Sequence, residues 1–138
     1  MADAVTSQTI VDTEKRVVMK FTNLSDGSGE SAVKKVDVSA LTAHPDGTAC
    51  SQVTIDQIWY NVCGMRVVID FDASTNVPAL ILGGSVAHHA AADGHLDFRS
   101  FGGIKNNASS PTGDIDITTS GHTNLDHYTI VLEMRKQY

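Results

Sequence analysis

Three histidines, His88, His89 and His95, lie close together in the chain with Asp93 and Asp97 among them. A zinc site needs three or four nitrogen, sulfur or oxygen ligands converging on a tetrahedron. Adjacent histidines on an extended chain point to opposite faces, which works against joint ligation; Asp93 and His95 share a face if their segment is a strand. Two aspartate pairs, Asp70 with Asp72 and Asp114 with Asp116, have the spacing that puts both carboxylates on one side of a strand. Paired carboxylates can serve acid–base chemistry or glycoside hydrolysis. The residue inside each pair, Phe71 or Ile115, is the core-facing one, so the aspartates are expected on a solvent face. Cys50 and Cys63 lack an activating motif and are expected as reduced, buried thiols. Gly27-Ser-Gly29 has neither the Lys-Ser/Thr of a phosphate loop nor a helix pattern after it, and no G-x-S-x-G or H-E-x-x-H signature occurs. These residues nominate no catalytic group, no metal ligands and no cofactor, and the chain is not expected to be an enzyme.

The elements that would hold such residues are strands. Arg16 to Thr22 alternates, with Val17, Met19 and Phe21 on one face. A turn-rich stretch follows to Glu30, then a strand over Ser31–Val38, which together read as a hairpin with a long tip. The longest organised stretch is Val53–Asp72. Ile58, Tyr60 and Val62 share one face before Gly64; Met65, Val67, Ile69 and Phe71 share one face after it. Gly64 predicts a reversal or kink, because glycine takes positive φ freely. Trp59, the sole tryptophan, then points outward with Gln57. Such a residue is either an interface anchor or is covered by a second packed layer. Residues 85–93 carry the only helical character, expected as a loop or single turn between glycines. Ile104 to Gly113 reads as a polar loop, Asp114–Thr119 as a strand, and His127–Arg135 as a strand burying Tyr128, Ile130, Leu132 and Met134. About eight strands with little helix predict an all-β, single-domain antiparallel sandwich of jelly-roll type over residues 16–138. Residues 1–15 form a polar arm. Within it Thr9, Ile10 and Val11 could pair as an edge strand, either fraying or docking onto a neighbouring subunit.

Charge narrows the partners. The 138-residue chain carries a net charge of −6, and residues 36–134 hold three basic side chains against eleven acidic ones. Nucleic-acid binding needs a basic stripe to displace counterions, so it is not expected. No apolar run is long enough to span a bilayer as a helix. The N-terminal residues lack the pattern of a signal peptide, so synthesis in a cytoplasm is the expectation and the sequons at Asn23 and Asn107 would stand idle.

Several segments together resemble a known family: RVVMKFTNLSDGSGESAVKKVDVSAL (16–41), IDQIWYNVCGMRVVIDFDAS (55–74), GHLDFRSFGGIKNN (94–107), TGDIDITTSGH (112–122) and YTIVLEMRKQY (128–138). The chain is similar over most of its length after residue 15 to small virion structural proteins of tailed bacteriophages. Segment 78–93, with His88 and His89, matches least well. The resemblance implies a structural role in the capsid. By analogy of size and fold class it implies a head decoration, or cement, protein made in the host cytoplasm. Its partners would be the major capsid protein and further copies of itself, as a dimer or trimer, with Thr9, Ile10, Val11 and Trp59 as candidate contacts. The alternatives are a head–tail connector or tail component, a carbohydrate-binding β-sandwich, and a small enzyme using one of the aspartate pairs.

Overall fold

The computed structural model describes residues 3–83 and 91–138, and among these it forms nine strands and two single 3-10 turns. The strands are β1 (Ala4–Asp12), β2 (Arg16–Asp26), β3 (Val33–Val36), β4 (Gln52–Cys63), β5 (Arg66–Ala73), β6 (Val77–Leu82), β7 (Ala91–Asp97), β8 (Pro111–Ser120) and β9 (Asn124–Gln137). They build two sheets, one ordered β1-β2-β9-β4-β7 and the other β3-β8-β5-β6. Every pairing is antiparallel. The chain is all-β. Strands β2 to β9 alone give two four-stranded sheets, 2-9-4-7 and 3-8-5-6, which is a jelly roll; β1 is a fifth strand added beside β2.

Alternation explains why the two sheets close on each other. Phe21, Ile58, Ile130, Leu132 and Met134 from the larger sheet are fully buried against Val67, Ile69, Phe71, Ile115 and Ile117 from the smaller one. Each of these is flanked by residues that turn away from the core, so one apolar face per sheet meets the other. Val53–Asp72 carries the chain between the two sheets, as β4 and then β5. Gly64 makes the reversal at φ +77°, and a Cβ there would come within 2.2 Å of the Asp126 carboxylate. That carboxylate already accepts the Thr123 N–H at 2.7 Å and hydroxyl at 2.9 Å.

Several expectations are corrected. Arg16–Val38 is not a hairpin. Both ladder sides of β2 are occupied, by β1 and by β9, so β3 crosses to the other sheet and pairs with β8. Glu30, in that crossover, is buried. It accepts hydrogen bonds from Asn23 (2.8 Å) and the Tyr128 hydroxyl (2.6 Å) and pairs with Lys35 at 2.5 Å. A polar knot between the sheets is therefore built by a segment that reads as loop tip. Residues 4–12, read within an arm, form a nine-residue strand paired with β2 of the same chain. The segment from Ala91 to Asp93, read as part of a loop or helical turn, opens β7; residues 84–90, including His88 and His89, lie outside the described residues. β8 starts at Pro111, inside what reads as a loop. Cys50 and Cys63 are unbonded; Cys50 is buried, and burial raises its thiol pKa. No helix among the described residues is long and apolar enough to cross a membrane.

Candidate functional site

The outer face of the larger sheet carries the most chemistry that is still open to solvent. In register, Val131 on β9, Trp59 on β4 and His95 on β7 form one row across three strands. Thr129, Asn61 and Asp93 form the next row. Alternation on β4 sends Ile58 and Val62 into the core, so Trp59 and Asn61 must point away from it. Trp59 remains 38% exposed.

The indole does not stand alone. The His95 ring lies against it with centroids 4.8 Å apart and planes 3° from parallel. The His95 ring is held in turn. Its Nε2 meets Gln57 Oε1 at 2.7 Å; Gln57 Nε2 donates to Glu133 Oε1 at 3.0 Å; and Glu133 Oε2 pairs with the Arg16 Nε at 3.3 Å. A carboxylate can only accept, so the Gln57 amide N–H faces Glu133 and its carbonyl faces His95. Nε2 of His95 therefore carries a proton and donates. The relay Arg16–Glu133–Gln57–His95 fixes both the orientation of the imidazole and the face of the indole it covers.

Beside the indole lies an open hollow of about 480 Å³, lined by Trp59, Asn61, Asp93, His95, Thr129 and Val131 together with Tyr60 and Gly94. Gly94 sits over the Tyr60 ring; a Cβ there would lie 3.1 Å from the Tyr60 hydroxyl. At the rim, Arg99 grips both Asp97 oxygens, Nε to Oδ1 at 2.9 Å and Nη2 to Oδ2 at 2.7 Å. Those hydrogen bonds hold Asp97 down to about 2.

Asp93 and His95 do share a face of β7, as the strand reading of that segment requires. His95 serves a stacking pair, a role the metal reading did not contain. Among the described residues no group of three or more His, Cys, Asp or Glu side chains is placed to hold a metal ion. Sequence reasoning placed Gln57 outward beside Trp59 without giving it a role, and it did not single out Glu133. The signal for Glu133 was a carboxylate inside the apolar run Ile130–Met134.

The aspartate pairs do occupy the outer face of the smaller sheet, but that face is not a solvent face for them. Asp70 (9% exposed), Asp114 (6%) and Asp116 (4%) are all buried. Asp70 and Asp116 are directly opposed on β5 and β8. The turn after β5 folds back over them: Asn76 accepts from the Ala73 N–H at 3.1 Å and donates to Asp116 at 3.2 Å. Asp114 accepts the Val38 N–H at 2.9 Å and pairs with Lys34 at 3.0 Å, and Asp72 accepts from Thr112 at 2.7 Å. Burial, then the charge and hydrogen bond of Asp72, push Asp116 up to about 6, against the opposing pull of Asn76. Burial also raises Asp70.

Thr9, Ile10 and Val11 lie on β1, with β2 and β9 between them and the strand of Trp59, so the two groups of candidate contacts are not one surface. Thr9 faces Met19 and Val11 faces Val18, with Ile10 in the bulge between them, 51% exposed.

No protein-family model matches the sequence, and no curated protein sequence matches it. Two solved structures align with it at 8% identity. One is a cupin domain from Bordetella pertussis Tohama I, with a TM-score of 0.41 over 100% of this chain and 98% of that one. The other is a family 29 carbohydrate-binding module, with a TM-score of 0.34 over 96% and 92%. Likenesses at this level carry no argument about function.

Proposed function

We propose that this chain is a structural protein of a tailed-phage particle, a decoration protein that binds the outer surface of the head and stabilises the shell. The observation that carries the reading is the free edge of β1, taken together with the resemblance of the sequence to small virion structural proteins. β1 is paired on one side only, and residues 4 to 10 are all exposed. Its sequence, AVTSQTIVD, holds no charge before Asp12 and no proline. Natural sheets guard such an edge with lysines, prolines or a covering segment, because unpaired N–H and C=O groups recruit another strand. Among the described residues, a single bulge at Ile10 is the only guard here. Val5 and Leu24 beside it are 44% and 47% exposed. An unguarded edge is what strand addition to a neighbouring subunit requires. That neighbour is the major capsid protein or a second copy of this chain.

Cryo-electron microscopy of intact particles tests the reading. Density for this chain repeated over the capsid lattice is expected; density at one unique vertex would assign a connector or tail part instead. The edge is tested separately with the double variant Thr6→Lys, Gln8→Lys, which places charges on a stretch of β1 that has none before Asp12. It should leave thermal stability within a few degrees and reduce retention on purified heads by about tenfold or more. Unchanged retention would rule out addition at β1.

A further inference from the structure

We propose that the hollow beside Trp59 binds a neutral sugar ring, as a mono- or disaccharide unit of a longer glycan. The argument is independent of β1 and of any capsid role. It begins with what surrounds the indole. The His95 imidazole lies against it, nearly parallel at 4.8 Å. The indole is still 38% exposed, and it lines the hollow together with His95, Val131 and Thr129. An exposed aromatic surface suits a flat, weakly polar partner, and the C–H face of a pyranose is one.

The second row supplies what the ring's edge needs. Asn61, Asp93 and Thr129 are neighbours across β7, β4 and β9, and all three are exposed. None of the three makes a hydrogen bond to another described residue, whereas the polar side chains around Gln57 are fully engaged. An amide offers two donors and an acceptor, a carboxylate accepts, and a hydroxyl does both. That set matches vicinal sugar hydroxyls, each of which donates and accepts. The hollow, at about 480 Å³, is within the usual range for small-ligand sites.

Other ligand chemistries fit less well. A phosphate or other anion would meet Asp93; Arg16 and Arg99 are committed to Glu133 and Asp97, and Lys20, next to Val131 on β2, is a single cation outside the lining of the hollow. A quaternary ammonium group prefers several rings arranged as a cage. Here the two rings are stacked on each other, which is not the arrangement of a cage. The relay from Arg16 to His95 holds the platform in place before any ligand arrives, which lowers the ordering cost of binding.

The test uses the full chain, whose sole tryptophan is the reporter. Trp59 fluorescence is followed while cellohexaose, mannohexaose, chitohexaose, laminarihexaose and maltohexaose are titrated in turn, with choline and inorganic phosphate as controls, and isothermal calorimetry repeats each titration. At least one saccharide should give a saturable response. Asn61→Ala and Asp93→Ala, both at exposed positions, should keep the melting temperature and weaken that binding by about tenfold or more. Absence of saturation with every saccharide by both methods would overturn the proposal. So would binding that both variants leave intact, or saturation by choline or phosphate alone.

Discussion

The two outer faces of this sandwich are written in the same alternating code and end in opposite states. On the larger sheet, Asn61, Asp93 and Thr129 stay exposed with their hydrogen-bonding capacity unused, and Trp59 stands among them. On the smaller sheet, Asp70, Asp114 and Asp116 are buried and held by Asn76, Lys34 and the Val38 backbone. The difference is one of covering. β7 is an edge strand whose outer side no described segment crosses, while the turn after β5 and the residues after β3 fold over the aspartates. Groups spent on internal contacts do not recruit a ligand, so the face whose polar groups are uncommitted is the one with more to offer a partner. The aspartates, which looked most like catalytic groups in the sequence, are the ones the fold has put out of reach.

Burial by itself does not set the sign of a carboxylate's contribution, and Glu30 makes that testable. It is 7% exposed and has its own cation, Lys35 at 2.5 Å. Glu30→Gln leaves that lysine buried without a counter-charge, and a loss of about 3 kcal/mol is expected in urea unfolding. A neutral result would mean that the knot at the start of β3 adds nothing to the sandwich.

Asp116→Asn should move stability the other way. The carboxyl is pushed up to about 6 from its usual 3.8, so the folded chain holds a proton that the unfolded chain releases over that interval. The stabilisation from that proton is complete below about pH 4 and is lost as the pH rises through 6. Asparagine mimics the protonated form. The variant should therefore be more stable than the parent by about 1–2 kcal/mol at pH 7.5, with the gap closing by pH 4. Thermal melts at the two pH values decide it; a gap that does not change with pH would sink the idea that like charge strains this face.

The smallest effect is expected at the relay. Gln57→Ala removes the link between Glu133 and His95, and a loss of about 1 kcal/mol follows from the missing buried hydrogen bonds. The sharper readout is Trp59, whose fluorescence anisotropy should fall as the His95 ring loses its anchor. Unchanged anisotropy would show that the stack stands without the relay.

Much of the fold was legible because alternation is a local signal. Val17, Met19 and Phe21, or Tyr128 to Met134, reveal their buried face in any seven-residue window, and each of these strands exists where the pattern puts it. Gly64 was legible as a reversal for the same reason. The misreadings have a common cause: periodicity says which side of a strand is apolar and nothing about which strand lies beside it. Arg16–Val38 looked like a hairpin because its two strands are close in sequence, whereas β2 gains far more ladder from the distant β9. The site was half legible. Trp59 was marked as outward, and Asp93 and His95 as sharing a face. That His95 of β7 and Glu133 of β9 meet at Gln57, beside Trp59 on β4, was not legible, because those three strands are far apart in sequence.

The division into two sheets came from the tertiary structure. The sequence by itself determined that this chain is an all-β structure, which residues of its clearest strands fill the core, and that Trp59 turns away from that core. Those outcomes follow from side-chain alternation and from the free energy of burying apolar surface, both properties of short segments. Only the tertiary structure decided that β1 ends as an unguarded edge, that three aspartates of the smaller sheet are buried, and that an imidazole closes one side of the lone indole. Each depends on strand order and cross-strand register, which the long-range ladders between β2, β4, β7 and β9 select and no local window contains.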